Sequence, residues 1–164
     1  MIPDWTELRR RIPHEHPRIL FRPGDFERLK GQLEEPVVAQ LFQSIKERAD
    51  AGLGKPLPEI KFPSNYCVPE LGPWDSRYSK SQEGMDANAA LQAPFRIITQ
   101  LVESSALVYR MTGDGRYLEQ GRQAMQALAD IDLTISSYTN AHGFHSIVPV
   151  LAAGLDYLWD ALPP

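Results

Sequence analysis

The residues best able to do chemistry fall in two stretches. The first is Ser136-Ser137-Tyr138-Thr139-Asn140-Ala141-His142-Gly143-Phe144-His145. Imidazole moves a proton near neutral pH, and two such rings beside an anion can bind it or shuttle its proton. The stretch leads into an apolar segment starting at Ile147, so Asn140, His142 and His145 stand at a predicted helix N-terminus. Free N–H groups and the helix dipole favour anions there. Ser, Asn and His also cap and solvate ordinary loops, a role that needs no ligand. A zinc site is not expected, because His142 and His145 have no evident third ligand. The second stretch holds Trp74, Arg77 and Tyr78. Aromatic faces stack on sugar rings, and a guanidinium grips a carboxylate with two parallel bonds. The same aromatics would equally pin a loop to a core.

Other candidates carry weaker signals. His14 and His16 invite a metal reading, but Pro17 biases His16 towards extended backbone and no helical i, i+4 pair exists. The spacing points to a structural role. Arg9-Arg10-Arg11 reads as a solvated face beside acidic neighbours. Arg96 either faces a cleft or carries its head out to water. There is no glycine-rich phosphate loop and no GxSxG elbow, and Gly113-Asp114-Gly115 reads as a turn between helices.

The elements that would position these residues are helical. From Phe95 to Met111 the positions Ile97, Ile98, Leu101, Ser105 and Val108 follow the i, i+3, i+4, i+7 rule of one helix face. Pro94 suits a first turn. Gly113 supplies a left-handed stop and Asp114 an N-cap for a helix from about Gly115 to Ala129. Tyr117, Gly121, Ala124, Met125 and Leu128 form its predicted inner face. Glu119, Gln120, Arg122, Gln123 and Gln126 form its wet face. Gly121 predicts a close helix–helix contact, since glycine in a helix otherwise costs about 1 kcal/mol relative to alanine. A third helix carries Ile147, Val148, Leu151, Leu155 and Leu158 inward and stops at Pro163-Pro164. Upstream, Pro23 opens a short helix through Phe26, Leu29 and Leu33. Pro36 opens another, with Val37, Val38, Leu41, Ile45 and Ala49 inward. The predicted organisation is all-α: residues 1–51 with two short helices, an irregular 52–85, and helices over 86–164. Phe62, Tyr66, Trp74 and Tyr78 argue for partial order in the irregular stretch.

At 164 residues this is one domain or a piece of a larger one. A net charge of −4 gives no sign of a nucleic-acid surface. Cys67 stands alone, which excludes an internal disulfide and a cysteine metal cluster. No apolar run reaches membrane-spanning length. The charged start MIPDWTELRRRIPHEH is unlike a signal peptide, so the sequence as it stands is expected in the cytoplasm. A removed export signal would make it periplasmic or secreted.

Three motifs carry a resemblance. HPRILFRPGDFERLKGQL resembles the opening of heparinase II/III-like polysaccharide lyases and their alginate-lyase relatives. ALVYRMTGDGRYLEQGRQAMQAL is similar to their LAYxxTGDxxYxxxA helix pair, and LAAGLDYLWDALPP to their ALDWLYDxLxP segment. Each is modest alone. Their order and spacing are fairly specific, and they cover most of the chain, with 52–85 matched least.

The resemblance implies part of an (α/α) toroid, an incomplete ring of helical hairpins with a cleft at one end. It implies β-elimination on uronic-acid-containing polysaccharides, with no redox cofactor. In the family an Asn or His neutralises the carboxylate, a Tyr or His removes the C5 proton, and a Tyr protonates the leaving oxygen. Those residues normally follow the LDYLWD-like segment, and the sequence ends at Pro164. Asn140-Ala141-His142 precedes the segment and does not match the catalytic pair. The expectation is therefore an N-terminal portion without its own catalytic residues, whose substrate contacts are Trp74, Arg77, Tyr78, Asn140, His142 and His145. Its partner would be an acidic polysaccharide, with self-association through apolar faces at the open edge. The competing readings are an acidic-glycan-binding module without chemistry and a helical-repeat scaffold for a protein partner.

Overall fold

Local stop and start signals divide the chain into helices. A computed structural model describes residues 14–60, 82–131 and 147–162. Among these residues the secondary structure is entirely helical. Helix α1 spans Pro23–Gly31, α2 Pro36–Asp50, α3 Gln82–Thr112, α4 Gly115–Ala129 and α5 Ile147–Leu158; a single 3-10 turn, Trp159–Ala161, follows α5. The fold is all-α, as the periodicity predicts.

The α3–α4 hairpin is the centre. Gly113 takes φ +71°, a left-handed conformation that glycine adopts without a Cβ clash. Its N–H donates to the Tyr109 carbonyl at 2.7 Å. One residue on, the Asp114 carboxylate accepts the Arg116 N–H at 3.0 Å and opens α4. The Arg116 side chain, then its backbone N–H, holds the Asp114 carboxyl below its ordinary range. Replacing Asp114 by Ala leaves the first-turn donors to water, and Tm is expected to fall by about 2–4 °C in a calorimetric scan.

The α4 face is as its spacing predicts, with Tyr117, Gly121, Ala124, Met125 and Leu128 buried. Gly121 lets α3 and α5 approach. A Cβ there would stand 3.2 Å from Leu158 Cδ1 and 3.5 Å from Ser105 Cβ. On α3, Ile98, Leu101, Val102, Ser105 and Val108 are buried. Helix α5 packs across both helices, α2 lies on α3, and α1 also meets α3. Phe21, Phe26 and Tyr157 hold the α1 end, their ring centroids 5.1–6.0 Å apart.

Four expectations need correction. Helix α3 begins at Gln82, so Pro94 lies inside it and the irregular stretch ends before residue 85. Proline there removes one helical donor and leaves the Ala90 carbonyl without its usual partner. Ile97 is exposed rather than inward, because the stripe centres on Ile98. On α2 the inward row is Val38, Phe42, Ile45 and Ala49, while Val37 and Leu41 are exposed. On α5, Val148 and Leu155 are exposed and the buried face is Ile147, Val150, Ala153, Gly154, Tyr157 and Leu158, with Asp156 among them. Ala153 and Gly154 at the middle of that face let α5 lie close. A Cβ on Gly154 would come within 2.6 Å of Val102 Cγ1.

Candidate functional site

Trp74, Arg77, Tyr78, Asn140, His142 and His145 all lie outside the described residues, as do Arg9-Arg10-Arg11, Phe62, Tyr66 and Cys67. Of the other flagged residues, Arg96 is exposed and so is His14. His16 has a definite structural role, as its spacing suggests. Its Nδ1 lies 2.6 Å from Asp156 Oδ1, and its ring stacks on Trp159 with centroids 4.6 Å apart.

Asp156 closes a clasp between the two ends of the described chain. Its Oδ2 accepts the N–H groups of Arg18 and Ile19, each at 2.8 Å. Its side chain is 1% exposed. Burial alone pushes a carboxyl pKa up; the Ile19 and Arg18 N–H bonds, with His16, outweigh that and hold Asp156 below the ordinary range. The neighbouring Tyr157 hydroxyl is pushed up to about 12, by burial first and then by the Asp156 charge. Beside it Arg110 donates Nε to the Tyr157 carbonyl and Nη2 to Asp160 at 3.1 Å. A cation thereby meets the free carbonyls at the end of α5.

A second polar site lies between α2 and α4. The Tyr117 hydroxyl donates to Asp50 Oδ1, and Lys46 Nζ lies 2.6 Å from Asp50 Oδ2. Lys46, followed by Tyr117, holds the Asp50 carboxyl below its ordinary range. After this tie the chain turns through Gly52 and Gly54 and continues without regular structure to Ile60. Between this strap and α4 runs a cleft of about 890 Å³, lined by Gly52–Leu57 and by Gly115, Arg116, Glu119, Gln120 and Gln123. A smaller recess of about 330 Å³ continues the line at Pro58, Glu59, Ile60, Ile98, Ala127, Asp130 and Ile131.

Gln120 corrects the expected wet face. It is buried, and its Nε2 donates to the Ala49 carbonyl and to Ser105 Oγ, each at 2.8 Å. Its Oε1 is buried and has no hydrogen-bond partner among the described residues. The spacing could have found it: Tyr117, Gln120, Ala124 and Leu128 are one row of the inner face. Its polarity hid it. Asp156 was missed because its partners are some 140 positions away, beyond any local pattern.

The charges around the cleft are mostly spent on each other. Arg116 binds Asp114 with Nη2 at 2.7 Å, and Arg122 binds Glu119 at 2.7 Å. Lys55 is exposed and has no ion-pair partner among the described residues. No cluster of three or more His, Cys, Asp or Glu able to hold a metal occurs among them either. No described helix is long and apolar enough to cross a membrane. Compared with known proteins, the chain matches no protein-family model and no curated sequence.

Proposed function

We propose that this chain is the N-terminal portion of a toroid polysaccharide lyase, forming part of the wall that holds an acidic glycan for β-elimination. One observation supports the reading above the others. HPRILF and LDYLWD, the outer two of the three resembling motifs, are joined at Asp156, and the TGD hairpin packs against the same helix. In a simple helical repeat each unit touches only its neighbours. Here residues 16–19 bind a helix near the far end of the chain, which weighs against a repeat scaffold.

The reading assigns no catalytic residue to this chain, because none of its residues matches the family's Asn-His pair and Tyr in their place after LDYLWD. Trp74, Arg77 and Tyr78 are assigned stacking and carboxylate pairing, and Asn140, His142 and His145 anion contacts. An exposed apolar row, Val148 and Leu155 on α5 and Trp159 in the 3-10 turn after it, is where self-association would rest. The cleft along α4 favours one alternative, an acidic-glycan-binding module that performs no chemistry.

The test is to incubate the chain with alginate, heparan sulfate and chondroitin sulfate and follow the unsaturated-uronate absorbance. Retention of each glycan in affinity electrophoresis is measured in parallel. Retention of at least one glycan without chromophore is expected. Chromophore formation would overturn the assignment of no catalytic residue here. Failure to retain any of the three would overturn the glycan reading.

A further inference from the structure

We propose that α5 pairs with α5 of a second copy of this chain, antiparallel across a two-fold axis, through the outward row Val148, Ala152, Leu155 and Trp159. The pairing gives the self-association of the reading above a defined interface, and it needs no glycan. A helix that meets water on one side carries charged or polar residues there, as α4 does with Glu119, Arg122 and Gln126. Helix α5 has one charged residue, Asp156, and that side chain is buried. Its outer side is therefore bare of charge. Val148 and Leu155 are exposed, as is Trp159 in the 3-10 turn that follows, and Ala152 between them is partly exposed. Steps of four, three and four residues keep these positions on one seam.

Size, charge and area all fit a second copy. An antiparallel axis between Ala152 and Leu155 sets Ala152 of each copy against Leu155 of the other, and Val148 against Trp159. A small side chain then meets a large one in both layers, which close helix packing needs, and the two-fold axis repeats each match. The Asp160 carboxylate, paired with Arg110 yet still open to water, comes to the N-terminus of the other copy's α5, where the helix dipole favours an anion. The segment before α1 widens the face. The Ile19 N–H is tied to Asp156 beside Leu155, and the His16 ring lies on Trp159. Ile19, Leu20, Val148, Leu155 and Trp159 are each 44–72% exposed. Together they open roughly 600 Å² to water, the top of the range for one patch on a soluble monomer. Two such faces bury about 1,200 Å², the lower bound for a specific, stable interface.

Sedimentation velocity of the whole chain over a concentration series measures the pairing. A reversible equilibrium that stops at two copies is expected, with Kd of about micromolar order because the interface is small. Leu155→Glu puts two carboxylates into the closed seam and should weaken the dimer more than about tenfold. Leu155 faces water in the single copy, so the variant keeps the parent's far-UV circular dichroism. Val37→Glu, at a similarly exposed apolar residue of α2, should leave the dimer unchanged. Ala152→Leu adds apolar surface but sets two large side chains in one layer, and the dimer should weaken about tenfold. A monomer at every concentration, or species larger than two copies, would overturn the two-fold pairing. So would a dimer that Leu155→Glu leaves intact, that Ala152→Leu tightens, or that Val37→Glu weakens as much as Leu155→Glu does. None of these results bears on glycan retention, so the glycan reading stands or falls by its own assay.

Discussion

Asp156→Ala is expected to lower the unfolding free energy by about 3–5 kcal/mol, the range for removing one partner of a buried charged network. The substitution strands three donors at once: His16 Nδ1 and the N–H groups of Arg18 and Ile19. It also frees the segment that carries Phe21 into the aromatic cluster with Phe26 and Tyr157. Total stabilities of domains are about 5–15 kcal/mol, so the loss is a large share. Urea unfolding followed by far-UV circular dichroism and tryptophan fluorescence measures it. A loss below about 0.5 kcal/mol, the usual size for surface changes, would show that the clasp contributes nothing.

The same carboxylate makes a pH prediction. Its folded pKa is held below the ordinary value of 3.8. A depressed carboxylate stabilises fully above its unfolded pKa, and that stabilisation fades as pH falls through the folded pKa. The gap between parent and Asp156→Ala is therefore expected to be constant near neutral pH and to narrow below pH 3.8. A gap that widened on acidification would contradict the sign.

Gly154→Val is expected to be the second most damaging change, at about 3 kcal/mol, the upper end of ordinary overpacking. The first added atom already meets Val102 Cγ1 at 2.6 Å and Met125 Sδ at 2.7 Å. Met125 is unbranched and can swing away. Val102 is stiff at χ1 and fully buried, so α5 itself must move and open its seam with α3. Gly121→Ala is the informative companion. Its Cβ would stand 3.2 Å from Leu158 Cδ1, the mobile end of a side chain, and the helix gains about 1 kcal/mol from alanine. The two terms nearly cancel, and Tm should barely change. A Gly154→Val variant as stable in thermal scans as the parent would mean that Gly154 marks no close approach, and a large loss from Gly121→Ala would mean that Leu158 cannot give way.

These glycines also show what was legible in the sequence. The bounds of helix α4 and its entry turn were readable, because Gly113 and Asp114 act on the backbone within two or three residues of themselves. Gly121 was readable because a glycine inside a strongly amphipathic helix needs a reason. The α5 face was legible only in part. Ile147 and Leu158 are buried as expected, but Val148 and Leu155 are exposed, and Ala153, Gly154 and a carboxylate share the buried side with Val150 and Tyr157. Small residues bury by letting helices approach, and hydropathy does not register that. Pro94 was read as a helix start because its own preference is local, whereas α3 continues through it. At the cleft, Glu119 and Gln123 sat on the expected wet face, and Gln120 was placed there with them. Its burial depends on the Ala49 carbonyl and Ser105, partners that adjacent residues do not reveal.

The central claim is that this helical unit holds an acidic glycan. Isothermal titration of the whole chain with alginate oligosaccharides, against neutral oligosaccharides of equal length, tests it most directly. Measurable binding of the acidic series that weakens with added salt, and weaker or no binding of the neutral series, is the result the account predicts. Equal binding of both series, or no binding of either, would contradict it.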